Sequence, residues 1–484
     1  MSSSFLSPEK ILAGAQDNQT HYYNGSGWTA VTCCDGLDCS FDKTNENIAY
    51  ATTQNGLLSR SNDGGLSFSS SITPPTLDPT WECPHLINPL NSATIYISGS
   101  AVHASNNRGD TWFDLSPKLD SIYKITSIAQ SPADTGIFYA ASFRKIYITT
   151  NYGLSWLDIT AGLPADSAAI SDVKTDDADP LTVYVTFSGF LEGRKVFKTT
   201  DGGLNWTNIS GTLPNVPFNT IVVQKNSQGD LYAGCDFGVF YFDVNNGDWV
   251  PFSTDLPGIV IADLDINYRN GKLFAATHGR GIYTTDLVKP IPPILNDAAV
   301  SEIIAPFDGD YCDSLTTPFI IKIKNYGVDT LTSITVNYSI DNGPVVSIII
   351  NDTLATNTTA IDSITFLTFY GGAHSIHVFT SDPNGATDDY TFNDAQDISF
   401  KINTAIVAYP FAEGFENPSF PPADWFKTPD GLWLENDTIG AYGNSTHSAK
   451  AKFYDIVSGT AFLTTMRIDL SNATPITSLG FAHA

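Results

Sequence analysis

An octet recurs along the first half of this chain. SNDGGLSF stands at Ser61–Phe68, SNNRGDTW at Ser105–Trp112, TTNYGLSW at Thr149–Trp156 and TTDGGLNW at Thr199–Trp206. A worn copy, FDVNNGDW, ends at Trp249, and GSGW at Trp28 reads as the tail of another. With Asp63, Asn107, Asn151, Asp201 and Asn245 as anchors, the spacings are 44, 44, 50 and 44 residues. A fixed period of this size marks a repeat architecture rather than one irregular core. Within the octet, Asp or Asn accepts hydrogen bonds from N–H groups a few residues on, Gly supplies positive φ, and the closing aromatic buries its ring. Asp63, Asn107, Asn151 and Asp201, with Trp112, Trp156 and Trp206, therefore read as structural.

Between the octets a second pattern repeats: an apolar strand, a turn rich in Pro, Asn or Asp, then a strand containing an aromatic. The aligned aromatics are Tyr50, Tyr96, Tyr139, Tyr184, Tyr232 and Phe274, stepping by 46, 43, 45, 48 and 42 residues. Each unit thus offers two strands, a third running into the octet and a fourth after it. Four short antiparallel strands per repeat make one blade of a β-propeller. No stretch has helical periodicity, so the fold class is all-β. Six units follow a partial first one, ILAGAQDNQTHYYNGSGW, which lacks room for its innermost strand, and the last unit ends without a fourth. Either seven blades close the ring or these are the final blades of a larger one.

The octets resemble Asp-boxes, the BNR-type repeats of sialidases, sortilin and related propellers. GAQDNQT, CCDGLDCSFD and ATHGRGIYTTD resemble the sortilin-like propellers of secreted bacterial surface proteins. This resemblance covers residues 1–288. KPIPPILND, residues 289–297, is a proline-stiffened linker. Residues 298–404 alternate strands and turns with the spacing of an immunoglobulin-like sandwich, and IKNYGVDTL resembles a bacterial adhesion-associated (CARDB-like) repeat. Residues 405–484 resemble the first half of a cleaved-adhesin or MAM-like jelly-roll. The chain reads as a fragment of a longer polypeptide. The resemblance implies a secreted or cell-surface location and export by a type IX route.

The formal net charge is −27, with a pI near 4.3. Such a surface repels phosphate backbones, so nucleic acid is excluded as a partner class. No apolar run approaches the ~18 residues of a membrane span. The six cysteines, Cys33, Cys34, Cys39, Cys83, Cys235 and Cys312, lack zinc-site spacing. Cys33 or Cys34 could pair with Cys39 or Cys83, or all could be free thiols. No cofactor is implied. The acidic composition suits divalent cations, and the jelly-roll resemblance implies calcium, with Glu413 and Glu416 as its candidate ligands.

The Asp-box resemblance invites a sialidase, which would need three carboxylate-gripping arginines on the face opposite the boxes. Arg60, Arg108 and Arg269 fall on the box side, while Arg144, Arg194 and Arg280 fall in loops between strands two and three. A xyloglucanase-like hydrolase would instead need two acidic groups about 5–9.5 Å apart, and Asp17, Asp35, Asp38 and Asp236 crowd the same face. The candidate ligand-binding residues are Gln16, Asp17, Asn18, Asp35, Asn55, Trp81, Asp236, His278 and Arg280. Against five of them stands a structural role: turn capping for Asp17 and Asn18, burial for Trp81, and for His278 and Arg280 a tight HGRG turn with the Arg packed into the ring. No catalytic residue is assigned. The function this implies is non-catalytic recognition of a glycan or an extracellular protein through the propeller face, with a secreted glycoside hydrolase as the alternative.

Overall fold

The computed structural model describes residues 1–403 except Gln228 and Asp313, and beyond them only short strand segments. Two compact units divide the chain, Met1–Ile294 and Leu295–Ala484.

The first unit contains seven antiparallel sheets, each ordered as in the chain. Six have four strands; the seventh, Ile261–Asn267, Lys272–Thr277 and Ile282–Asp286, has three. The innermost strands are Ser2–Ser3, Gly36–Phe41, His85–Ile87, Ile125–Gln130, Ala169–Thr175, Phe218–Val223 and Ile261–Asn267. Each contacts the next, and the last contacts the first. The ring closes as a seven-bladed β-propeller.

One sequence expectation fails here. The opening unit does possess an innermost strand, because Ser2 and Ser3 pair with Leu12 and Ile11. Two residues suffice because the seventh blade anchors them. Ser3 donates its N–H and its hydroxyl to Asp265 at 2.8 and 2.6 Å, and Asn267 Nδ2 donates to the Ser4 carbonyl at 2.8 Å. The Arg269 guanidinium lies 4.6 Å from the Phe5 ring centre.

The octets do more than staple their own turns. Locally the geometry is as the composition implies: Asp201 accepts from Thr199 Oγ1 at 2.8 Å and from the Asn205 N–H at 2.9 Å. Asp63, Asn107 and Asn151 accept the equivalent bonds. The closing Trp then reaches backwards across the blade boundary. Trp112 Nε1 donates to the Ile72 carbonyl at 2.7 Å, Trp156 to Leu115 at 3.4 Å, Trp206 to Ile159 at 2.9 Å and Trp249 to Ile209 at 2.7 Å. Each acceptor belongs to the preceding blade. The octet glycine fits against that same residue: a Cβ on Gly109 would lie 2.4 Å from Ile72, and one on Gly203 2.5 Å from Ile159. Gly and Trp together form a clasp on the outer edge of the neighbouring blade.

Between blades the core is aliphatic and aromatic. Tyr50, Tyr139, Tyr184 and Tyr232, at the aligned positions, are fully buried. Tyr96 Oη accepts from Asn88 of its own blade and Gln130 of the next, at 3.1 and 3.0 Å. Cys33, Cys34, Cys39, Cys83 and Cys235 are all free, so no bridge joins Cys33 or Cys34 to Cys39 or Cys83.

In the second unit, a three-stranded sheet (Ala298–Ala305, Leu315–Asn325, Thr359–Phe369) and a five-stranded sheet share one core. The larger sheet runs in the order Gly309–Cys312, Ala395–Asn403, Gly372–Ser381, Ile334–Ile340, Val346–Ile350. Phe319, Ile321 and Ile323 from the first pack with Val336, Ile376, Val378 and Phe400 from the second. Glu413 and Glu416 lie outside the described residues, as does nearly all of the segment read as a jelly-roll.

The clasp makes a graded expectation. Trp206→Phe keeps the ring but deletes one hydrogen bond and should cost about 1 kcal/mol. Gly203→Ala combines a φ of +89° with the Ile159 clash and should cost more than about 1 kcal/mol. Urea unfolding of the full chain checks the order; equal stability of Gly203→Ala and the parent would contradict the clasp.

Candidate binding face of the propeller

Antiparallel strand order puts the loops between strands two and three on one face, together with the connections from each blade to the next. Cross-bonds between these loops show it directly. The Asn55 N–H donates to the Trp81 carbonyl at 2.9 Å, the Asp236 N–H to Pro217 at 3.1 Å, and the His278 N–H to Val260 at 2.9 Å.

The candidate residues form two adjoining arcs on this face, since blade seven neighbours blade one. In the first, spanning blades one to three, the Asp17 N–H donates to Asp35 Oδ1 at 2.6 Å and the Asp35 N–H to Gln54 Oε1 at 2.9 Å. Gln16, Asp17, Asn18 and Asn55 are exposed, and Asp35 is half-buried. Asp17 and Asn55 both adopt positive φ, +61° and +62°, so these residues do shape turns while presenting their side chains outward. Trp81 is 51% exposed, which rules out the buried-Trp reading. In the second arc, Asp236 accepts from Asn219 Nδ2 at 2.9 Å. His278 and Arg280 sit on a turn closed by the Thr277 N–H on the Gly281 carbonyl at 3.0 Å, and both are exposed. The expectation that Arg280 packs into the ring is therefore corrected: two glycines with positive φ, Gly279 and Gly281, let the turn stand outward. Of the other arginines, Arg144 is tied to the Ala165 carbonyl at 2.7 Å and Arg60 to Asp110 at 2.9 Å.

Sequence reasoning singled out one aromatic here and missed three. Phe143, Phe190 and Phe237 occupy the same loop position in blades four, five and six and are 48%, 73% and 67% exposed. Their signal was positional: each follows the second strand by one or two residues, where a polar turn residue is usual. The octet leucines Leu66, Leu154 and Leu204 are also exposed, but at the turns between strands three and four on the opposite side.

The inner strands carry a second, buried polar system. Asp172 accepts from Ser127 in the preceding blade at 3.1 Å, Lys174 at 2.8 Å, and the Ile221 N–H in the following blade at 3.1 Å. Burial works against the Lys174 ammonium, but Asp172 outweighs it and leaves the pKa raised. In blade two, Asp38 lies 3.1 Å from His85 Nδ1, without hydrogen-bond alignment, and Ser40 Oγ lies 2.7 Å from His85 Nε2. The order hydroxyl, imidazole, carboxylate matches a nucleophilic triad in outline. Here, however, the hydroxyl is on an inner strand and the imidazole is buried, so the set links blades two and three. Burial alone would raise the Asp38 carboxyl; His85 reverses this and holds it well below the usual carboxylate range. Glu82 is pushed up, by burial first and then by Asp38, although solvent reaches it.

Among the described residues no group of three or more His, Cys, Asp or Glu is spaced to hold a metal ion. In the second unit, Asp297, Asp388 and Asp394 are buried near one another. Burial, then Asp388 and Asp297, push Asp394 up to about 8, and burial pushes Asp388 up to about 6. That unit also has an open cavity of about 540 Å³ lined by Asp308, Asp341, Asn342, His374, Ser399 and Lys401, among others.

No protein-family model matches the sequence, and no curated protein is similar to it. Similar solved structures are a GH74 xyloglucanase from Xanthomonas campestris (13% identity, TM-score 0.48) and a GH74 enzyme from Niastella koreensis (15%, 0.46). A YCF48 protein bound to D1 peptide is a third (15%, 0.45). The alignments cover 68%, 81% and 60% of this chain and 57%, 66% and 93% of those chains. At these values neither an activity nor a partner carries over, and the propeller stands on its own sheet order and ring closure.

Asp394 sets a pH expectation. Its folded pKa lies above the unfolded value of about 3.9, so the folded state holds the proton more tightly. Stability from this group is then greatest below pH 4 and declines as pH rises toward 8. Thermal unfolding of Asp394→Asn should show a gain over the parent near pH 8 that vanishes near pH 4; parallel pH profiles would contradict it.

Proposed function

We propose that the loop face of the propeller is a non-catalytic recognition surface for a glycan or an extracellular protein. The observation that carries this reading is the set of exposed rings, Trp81, Phe143, Phe190 and Phe237, on the loops of four blades. Single exposed apolar residues are ordinary on a protein surface. Aromatic side chains repeated on one face, beside exposed Gln16, Asp17, Asn18, Asn55, His278 and Arg280, are what stacking recognition with polar orientation uses. The remaining assignments follow the resemblance: residues 298–404 as an immunoglobulin-like, adhesion-associated spacer, and a secreted or cell-surface location. The two-sheet core of the second unit supports the former.

One observation favours the alternative, a glycoside hydrolase. Exposed Glu82 adjoins Trp81 on this face, and burial pushes its carboxyl up, the direction a general acid needs. A glycan array probed with the full chain separates the readings. The binding surface predicts array signal without turnover, reduced at least tenfold in a Trp81→Ala, Phe237→Ala double variant that unfolds like the parent. Turnover lost in Glu82→Gln would establish the hydrolase instead.

A further inference from the structure

We propose that Cys33 and Cys34 form a reversible redox site on this face, closing a disulfide between neighbouring residues when a small-molecule disulfide oxidises them. Both thiols are exposed, whereas Cys39, Cys83 and Cys235 are buried. The Cys33 and Cys34 Sγ atoms lie 2.7 Å apart, closer than unbonded sulfurs pack. A disulfide bond is about 2.0 Å long, so closure asks the sulfurs to move by less than about 1 Å. The buried thiols are engaged elsewhere: Cys39 Sγ donates to the Leu12 carbonyl at 3.1 Å and Cys83 Sγ to the Thr80 carbonyl at 3.7 Å. Burial also pushes the Cys39 thiol up to about 11, which leaves it inert toward disulfides.

The location gives the chemistry a consequence. Cys34 has a φ of +68°, and its carbonyl accepts the Gln19 N–H at 3.0 Å. The next residue, Asp35, accepts the Asp17 N–H. The pair therefore sits in the loop that holds Gln16, Asp17 and Asn18 in place, and a bond between the sulfurs would stiffen it.

Both thiols are open to the oxidant, and Cys33 attacks first. Its thiolate attacks one sulfur of the oxidant RSSR, giving Cys33–S–SR and RS⁻. Cys34 loses its proton to solvent and attacks Cys33 Sγ, expelling a second RS⁻. Two thiols are oxidised, one RSSR is reduced to two RSH, and no other reactant is needed. Adjacent Cα atoms across a trans peptide are about 3.8 Å apart, short of the roughly 4.4–6.8 Å span of relaxed disulfides. A strained, exposed disulfide is a readily reduced one, so the bond acts as a switch rather than a staple.

Treating the full chain with glutathione disulfide, followed by iodoacetamide alkylation and peptide mapping, tests this. The peptide carrying both residues should lose two hydrogens and resist alkylation, while the Cys39, Cys83 and Cys235 peptides stay unchanged. Reduced glutathione alone should restore both thiols. Cys34→Ser should stop at a Cys33–glutathione mixed disulfide. In the oxidised parent, amide exchange at Gln19 should slow relative to the reduced form. Two alkylatable thiols after treatment, a parent that accumulates only the mixed disulfide, or a bond that reduced glutathione cannot open would each overturn the proposal.

Discussion

An indole N–H that donates to a main-chain carbonyl of the preceding blade is the contact on which the first unit depends. A propeller blade is a small twisted sheet that cannot bury its own faces. Blade-to-blade packing supplies the core, but apolar contact alone does not fix the angle between neighbours. The clasp of octet Gly and Trp does. Glycine lets the turn approach Ile72, Leu115 or Ile159 to a distance no Cβ would tolerate, and the indole bonds the carbonyl of that same residue. The indole bond recurs at four consecutive boundaries, from the second blade to the sixth, and supports the curvature that lets Ser2–Ser3 meet Ile261–Asn267.

The inner strands are held differently. Asp172 is fully used by groups from three consecutive blades, and Asp38 is compensated by His85. Networks of this kind add little net stability, since desolvation offsets attraction, but breaking one partner is costly. They fix which residues stand beside one another around the ring. The loop face inherits that order, so its aromatics fall at equivalent positions rather than at random.

Much of this was legible in the residues. The octet and the aligned tyrosines together give strand count, strand order and blade size, because their chemistry is local: a turn, a positive φ, a buried ring. What was not legible depends on contacts between blades. Nothing in the octet says where its indole points. The opening strand was missed because two serines carry no strand signal until Asp265 and Asn267 are brought beside them. Trp81 was seen as a candidate, yet Phe143, Phe190 and Phe237 were not, since an apolar residue after a strand ordinarily reads as core. Spacing offers Cys33 the partners Cys39 and Cys83, whereas the thiol nearest to it is that of the next residue.

Seven blades form one closed ring, joined through Ser3 and Asp265. Hydrogen exchange on the full chain, with Asp265→Ala for comparison, tests it most directly. A closed ring makes the inner strands Gly36–Phe41, Phe218–Val223 and Ile261–Asn267 exchange together in the parent. Asp265→Ala should then speed exchange first at both sides of the seam, in Ile261–Asn267 and Lys10–Gly14. If Ile261–Asn267 already exchanges early in the parent, and the substitution leaves the first blade untouched, the blades are an open array and the account is wrong.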